Sequence, residues 1–268
     1  MAKANRYIQV LERLFFEKYE QGATRISFER EELTQIAEEL GLDPIKNLGD
    51  VVYSFNFRLP VPDSMARLAP QHSQGKSWVI RHVGRSRYEF SLGIREATPN
   101  PNLERIKVPD ATPGIILQHA LTDEQATLAK VRYNRLLDIF SGVTCYSLQS
   151  HLRTSVDGIG QIETDEVYVG ISESGAQHVF PVEAKGESEK IGAVQIEQDF
   201  KMADEKFPHL LCTPIAAQSL DENTVCLIAF TITSDNDDVR IKAEKHYKLV
   251  SPSEITPDEL KALHDQMG

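Results

Sequence analysis

Four closely spaced prolines constrain the fold of this chain more than any other feature. They fall in the segment 96-EATPNPNLERIKVPDATPG-114, at Pro99, Pro101, Pro109 and Pro113. Proline lacks a backbone N–H and has a fixed φ, so we do not expect a regular helix or sheet to run through this segment. We therefore predict an extended connector over residues 96–115. It separates two domains, 1–95 and 116–268.

The first of these domains has the pattern of three helices followed by a β-hairpin. Apolar residues recur at helical spacing near the N-terminus. A second helix is predicted after Ser27, as its N-cap, with its end at Gly41. A third is predicted from Asp43, where a proline follows the cap residue. Two β-like runs then occupy 77–84 and 86–93. This order resembles a winged-helix-like α+β domain.

Basic and polar side chains concentrate on the predicted third helix and the hairpin. The residues expected to contact DNA are Lys46, Asn47, Arg58, Arg81, Arg85 and Arg87. Arginine is the usual partner of phosphates and guanine edges. The same residues would also suit an ordinary solvated face, and winged helices also mediate protein contacts. Both interpretations stay open at this stage.

The order of elements in the second domain predicts a mixed α/β arrangement around one sheet. A helical pattern begins at residue 122. The predicted strands that follow are 161–171, 178–186, 209–217, 224–233 and 239–250. Helices are predicted over 190–207, between the second and third of these strands, and over 257–266.

The first two of these strands bring acidic and basic side chains together. Because strand residues alternate between faces, Asp165 shares a face with Glu163, and Thr164 lies opposite with Glu166. By the same rule Glu183 and Lys185 lie together on the second strand, 178-HVFPVEAKG-186. If the strands pair, we expect Asp165 to lie beside Glu183.

A buried pair of carboxylates is costly unless a cation lies between them. Mg²⁺ prefers oxygen ligands and is often held by one or two carboxylates, and Mn²⁺ suits the same ligands. The backbone carbonyl of Ala184, between Glu183 and Lys185, is a further candidate ligand. The sequence therefore predicts a divalent metal site with Asp165 and Glu183 as ligands.

The pattern of Asp165 followed by Glu183-Ala184-Lys185 resembles the PD-(D/E)xK, or restriction-endonuclease-like, nuclease superfamily. The resemblance covers about residues 116–250 and implies a mixed sheet flanked by helices. It implies that Asp165 and Glu183 bind the metal and that Lys185 is catalytic. It also implies a glutamine on the following helix, and Gln195 and Gln198 both qualify, Gln198 as a catalytic and Gln195 as an accessory residue. No proline precedes Asp165, which departs from the pattern.

Two further residues remain with alternative roles. Glu163 is either an additional metal ligand or a solvated strand residue. Arg153, ahead of the first acidic strand, either contacts DNA phosphate or has a surface role.

These features lead to the expectation of a metal-dependent endodeoxyribonuclease of the restriction or defence type. Double-stranded DNA is the expected partner, and a homodimer is expected because cutting both strands needs two active sites. A structure-selective repair or recombination nuclease is the first alternative. The second is a non-catalytic winged-helix DNA-binding regulator.

Charge and cysteine content set weaker limits on function. The net charge is −11, which by itself would repel DNA. It is uneven, because residues 1–115 hold 16 Lys and Arg against 15 Asp and Glu, a net of +1 that leaves −12 for residues 116–268. The three cysteines are expected to be reduced, and the protein cytoplasmic, with no membrane partner.

Overall fold

The computed structural model describes residues 5–69, 76–232 and 239–267 of the chain. Its first elements form what we call the N-terminal unit: α1 (Arg6–Lys18), β1 (Arg25–Glu29), α2 (Arg30–Glu39), α3 (Leu48–Phe57), α4 (Asp63–Ala66), β2 (Ser77–Gly84) and β3 (Arg87–Gly93). The three strands form one antiparallel sheet in the order β1-β3-β2.

The predicted hairpin of the N-terminal unit is present, but two helix starts differ from the prediction. Ser27 lies within β1, and α2 begins at Arg30 with a reciprocal capping box between Glu29 and Glu32. The helix expected from Asp43 begins instead at Leu48. Ile45 packs against the apolar core from the non-helical segment before it, so tertiary burial prevails over the local cap signal.

The remaining elements form the C-terminal unit. In chain order they are β4 (Glu96–Ala97), β5 (Arg105–Pro109), α5 (Gly114–His119), α6 (Asp123–Tyr133), α7 (Leu136–Ser141), β6 (Thr144–Val156), β7 (Gly160–Ile171), β8 (Gln177–Lys185), β9 (Ile191–Gly192), α8 (Ala193–Lys206), β10 (Leu211–Cys212), β11 (Ile215–Asp221), β12 (Thr224–Ile232), β13 (Val239–Val250), a 3₁₀ turn (Pro252–Glu254) and α9 (Pro257–Met267). Thr233, the last residue of one predicted strand, lies outside the described residues. Among the described helices, none combines the length and apolarity needed to cross a membrane.

A mixed sheet organises the C-terminal unit, as predicted. Seven strands follow the order β5-β13-β12-β11-β8-β7-β6, and β10 pairs with β8 beside them. The pairs of β8 with β11 and of β13 with β5 are parallel, and the other neighbours along this order are antiparallel. Helices α6 and α7 pack with one set of alternating strand residues, and α8 packs with the opposite set. The structure is therefore a mixed α/β fold with helices on both faces of the sheet.

The predicted connector is part of this architecture rather than a free linker. β4 pairs with β9, and β5 is the edge strand beside β13. Pro109 ends β5, which corrects the expectation that none of these prolines enters a regular element. An edge strand tolerates proline because one side of its backbone needs no ladder hydrogen bond.

Two other predictions about the C-terminal unit need correction. The helical pattern starting near residue 122 is divided at Arg135, which has a left-handed φ of 52° and separates α6 from α7. The strand β6 was not predicted. Most of its residues are exposed on both faces, so it lacks the alternating apolar signal on which strand prediction depends.

The two units share an interface at the start of α8. Gly192, the N-cap of α8, has the ring of Phe57 where a Cβ would lie, so any larger residue here would require that ring to move. Arg81 of β2 makes a bidentate ion pair with Glu197 of α8, with N–O distances of 2.7 and 2.6 Å. Both side chains are largely buried. Arg81, expected to contact DNA, is thus engaged between the two units.

We predict that this ion pair contributes substantially to stability. Arg81→Ala leaves the mostly buried Glu197 carboxylate without its partner, which costs on the order of 3 kcal/mol in the free energy of unfolding. Urea unfolding measures the effect, and a double-mutant cycle with Glu197→Ala isolates the coupling between the two side chains. Arg25→Ala is the control, because Arg25 is exposed and its pair with Glu89 is long at 3.5 Å. Equal losses in Arg81→Ala and Arg25→Ala would contradict the prediction.

Candidate active site

The candidate site forms where two neighbouring strands separate. β7 pairs with β8 as far as Glu166, which lies opposite Val182. The next side chain, Asp165, accepts a hydrogen bond from the backbone N–H of Ala184 at 2.8 Å. On its other edge, β8 remains paired with β11 through Lys185. Where the pairing of β7 with β8 has ended, the Asp165 carboxylate therefore accepts the hydrogen bond from a backbone N–H of β8 that the neighbouring strand leaves free.

The face alternation of β7 reverses at the same point. Glu166 bonds to Arg132 of α6, whereas Thr164 donates its hydroxyl to Asp199 of α8. Since α6 and α8 lie on opposite faces of the sheet, Thr164 and Glu166 do not share a face, and that expectation was wrong. The reversal coincides with the end of pairing to β8 and with a left-handed φ of 50° at His151, which lies between the β6 residues paired with Thr164 and Glu166.

Glu183 and Lys185 lie on the face of β8 that α8 covers, as the alternation predicts. Glu183 is 1% exposed, and its Oε2 accepts a hydrogen bond from the side-chain amide of Gln195. The ammonium of Lys185 lies 3.9 Å from the same oxygen. Within the described part of the chain, the other oxygen, Oε1, is buried and has no hydrogen-bond partner. Glu183 therefore has one oxygen held in place and one available to a ligand.

A third acid, which the sequence analysis missed, completes the group. Asp199 is buried and accepts a hydrogen bond of 2.7 Å from Thr164, while its Oδ2 lacks a partner among the described residues. Burial raises its pKa to about 7, and the charge of Asp165 adds to the rise. Asp199 lies one helical turn after Gln195, a spacing that places both on one face of α8 and was the available signal. We call Asp165, Glu183 and Asp199 the carboxylate cluster.

The acids of this cluster oppose one another's ionisation. Burial raises the pKa of Glu183 well above its usual value, and the charges of Asp199 and Asp165 raise it further. Lys185 acts in the opposite direction but does not cancel these effects. The group therefore holds more negative potential than one ammonium neutralises, which is the electrostatic condition for binding a cation.

Glu124, in the first turn of α6, borders the cluster and was also missed. Burial raises its pKa, and the charges of Asp165 and then Glu189 contribute to the rise, while Lys185 lowers it. Acidic residues are common in the first turn of a helix because they interact favourably with the helix dipole. The position of Glu124 in the first turn of α6 therefore gave no indication in the sequence that it belongs to a site.

The two glutamines expected near the site have different positions. Gln195, expected as the accessory residue, is the one that contacts Glu183. Gln198, expected to be catalytic, lines a small cavity with Arg81, His82 and Lys201, where α8 faces the N-terminal unit. The structure thus brings Gln195 to the cluster and places Gln198 on another face of the helix.

Glu163 and Arg153 lie apart from the cluster. They face each other across β6 and β7, and their side chains form an exposed ion pair of 3.1 Å. This arrangement favours the solvated interpretation of Glu163 over its role as a metal ligand. Ala184 is fully buried beside the site, and the role of its carbonyl stays a prediction.

The remaining residues expected to contact DNA are exposed on the N-terminal unit. Lys46 and Asn47 precede α3, and Arg58 follows it, stacked 4.8 Å from the ring centroid of Tyr53. Arg85 and Arg87 lie at the tip of the β2–β3 hairpin.

Comparison of the chain with known proteins finds no relative. The chain matches no protein-family model, no curated protein and no solved structure.

The raised pKa of Asp199 predicts a specific pH dependence of stability. The folded carboxyl keeps its proton up to about pH 7, whereas the unfolded one ionises near its ordinary value of 3.8. The folded state therefore binds more protons between these values, and stability falls as the pH rises through this window. In metal-free protein with chelator, we expect Asp199→Asn to reduce this loss by a few kcal/mol.

Urea unfolding at pH 5 and pH 8 tests this expectation. Asp204→Asn, an exposed acid on the same helix, is the matched control and should follow the wild-type pH dependence. If wild type and Asp199→Asn lose the same stability between the two pH values, the assigned burial of an ionising Asp199 is wrong.

Proposed function

We propose that this chain is a metal-dependent endodeoxyribonuclease with a PD-(D/E)xK active site in its C-terminal unit. One observation carries the proposal. Asp165 is bound to the backbone N–H of the residue between Glu183 and Lys185, where the two strands separate. That contact gathers two acids and an ammonium beside one gap in the sheet. A hairpin of ordinary surface charges would not bury Glu183 to 1% exposure.

The donors at this gap suit a divalent cation. Glu183 Oε1 and Asp199 Oδ2 are buried oxygens with no hydrogen-bond partner among the described residues. Carboxylate oxygens are the ligands that Mg²⁺ prefers, and Mn²⁺ is a possible substitute. Asp165 and Glu183 would hold the ion, with the Ala184 carbonyl as a further ligand. When bound, the ion would lower the pKa of its water and offset charge on a phosphodiester.

The protein residues around the cluster have distinct proposed roles. Lys185 is 13% exposed, which lets its ammonium reach both the cluster and an approaching phosphate, where it would stabilise developing negative charge. Gln195 fixes the Glu183 carboxylate through its amide. Thr164 does the same for Asp199. The acids therefore have defined orientations before any ligand arrives, which reduces the cost of reorganisation.

We propose that the N-terminal unit is a winged-helix-like module that binds double-stranded DNA. The chain order α1-β1-α2-α3-α4-β2-β3 and the sheet order β1-β3-β2 support this proposal. Its exposed basic residues flank α3 and occupy the hairpin tip, as the helix and wing of such a module require. We propose a restriction or defence role, with a homodimer supplying one active site for each strand.

Plasmid cleavage with Mg²⁺ tests the nuclease proposal directly. Asp165→Asn, Glu183→Gln and Lys185→Ala should each reduce the rate on the order of 100-fold or more. Glu173→Gln is the matched control, because Glu173 is an exposed acid in the loop joining β7 to β8. The inactive variants should still bind DNA in a mobility-shift assay.

The result also separates the alternatives. Discrete fragments from linear DNA indicate sequence-specific cutting, whereas preference for branched substrates indicates a structure-selective nuclease. Metal-independent DNA binding by a wild-type protein that cleaves no substrate with Mg²⁺ or Mn²⁺ would overturn the proposal in favour of the regulator.

The DNA-binding module gives a separate prediction. In the Asp165→Asn background, combined substitution of Lys46, Arg58 and Arg85 by alanine should weaken binding to all sequences. The slope of log affinity against log salt should fall by about one for each lost phosphate contact. Fluorescence anisotropy at several salt concentrations measures both. Arg13→Ala is the control, since Arg13 is exposed on α1 but paired with Glu17 at 2.6 Å. An unchanged slope would exclude these residues from phosphate contact.

A further inference from the structure

A second group of metal-binding side chains lies on the same face of the sheet as the carboxylate cluster. Cys226 of β12 is paired directly with His246 of β13, and Glu244 is the residue two before His246. Because residues two apart on a strand share a face, all three side chains project from the side of the sheet that α8 covers. The strand register, not a sequence motif, brings them together.

The ligand atoms of these residues are already close to the separation that one ion requires. His246 Nε2 lies 2.8 Å from Glu244 Oε1, and Cys226 Sγ lies 3.8 Å from the same oxygen. All three atoms lie within 4.8 Å of one another. Tetrahedral bonds of about 2.0 to 2.3 Å to zinc place neighbouring ligand atoms roughly 3.3 to 3.6 Å apart. Small side-chain rotations would suffice to bind an ion.

Burial makes this group unusual for a β-sheet core. Cys226 is 0% and His246 2% exposed, and Cys226 packs among the apolar residues of that face, including Ile228 and Phe230. Glu244 is less buried and accepts a hydrogen bond of 2.7 Å from the backbone N–H of Asn100, in the connector. The imidazole and the carboxylate offset part of their desolvation by bonding to each other at 2.8 Å, and an ion bound to both would offset more of it.

We propose that Cys226, Glu244 and His246 form a binding site for a transition-metal ion, with Zn²⁺ as the preferred occupant. Thiolate and imidazole ligands select such ions over Mg²⁺, in contrast to the all-oxygen carboxylate cluster. In the described part of the chain the group has three ligands, so water completes a tetrahedral shell. The ion would join β12 and β13 to the connector through Glu244 and its bond to Asn100.

The site is distinct from the carboxylate cluster yet near it. Lys185 is paired with Gln218 of β11, and Gln218 is paired with Cys226. Cys226 is therefore two strands away from Lys185 in the same row, about 10 Å at the usual strand spacing. A single ion could not bridge the two groups.

Cobalt substitution of the full-length protein tests the proposal with a signal that the carboxylate cluster cannot produce. After chelator treatment and dialysis, one equivalent of Co²⁺ should give the thiolate-to-cobalt charge-transfer band and the visible bands of a tetrahedral ion. Zn²⁺ should abolish these bands, and excess Mg²⁺ should not. Cys226→Ser should remove the charge-transfer band, and Glu244→Gln, which keeps the side-chain volume, should weaken binding.

The controls separate this site from the other cysteines and from the proposed nuclease site. Cys145→Ser and Cys212→Ser should keep the charge-transfer band, because neither cysteine belongs to the group. Asp165→Asn should keep it too, so the outcome is independent of any cleavage activity. The proposal is overturned if wild type gives no such band, or if the band survives in a folded Cys226→Ser variant.

Discussion

The hydrogen bond from the Ala184 amide to Asp165 is the contact on which the candidate site depends. It marks the place where β7 leaves β8, and a continuous pairing of the two strands would fill the gap with backbone hydrogen bonds. Because the acid replaces a strand neighbour, its carboxylate is tied to the main chain between Glu183 and Lys185. β7 reverses its face alternation at this point, so Thr164 points towards Asp199. The Thr164 hydroxyl donates a hydrogen bond that orients the carboxyl group of Asp199.

Helix α8 links this site to the rest of the molecule through two of its faces and its N-terminus. Gln195 and Asp199 point to the carboxylate cluster, whereas Glu197 pairs with Arg81 of the N-terminal unit. The N-cap of the helix, Gly192, packs on Phe57 at the end of α3. The N-terminal unit therefore contacts the same helix that supplies Gln195 and Asp199 to the site.

Strand alternation within β8 was enough to predict that Glu183 and Lys185 share a face, and the β2–β3 hairpin followed from the two β-like runs at 77–84 and 86–93. The sequence could not show that β7 reverses at Asp165, because that depends on where a neighbouring strand ends. It also could not show β6, whose exposed residues carry no apolar period. Asp199 was hidden for a different reason. Its spacing from Gln195 placed it on the same face of α8, but its burial and its contact with Thr164 depend on long-range packing.

The connector shows how tertiary pairing overrides a local breaker signal. Its prolines predicted an extended connector without regular elements, yet β4 and β5 pair with strands at distant points of the C-terminal unit. Asn100 contacts Glu244 between these two strands. Gln218 separates this region from the carboxylate cluster, and its amide binds the carbonyls of Gly186 and Glu189 just beyond Lys185. The face covered by α8 thus carries two ligand groups of different chemistry, one of oxygens alone and one with sulfur and nitrogen. In the two proposals, thiolate and imidazole distinguish the second group from the first, because these ligands favour Zn²⁺ whereas oxygen ligands alone suit Mg²⁺.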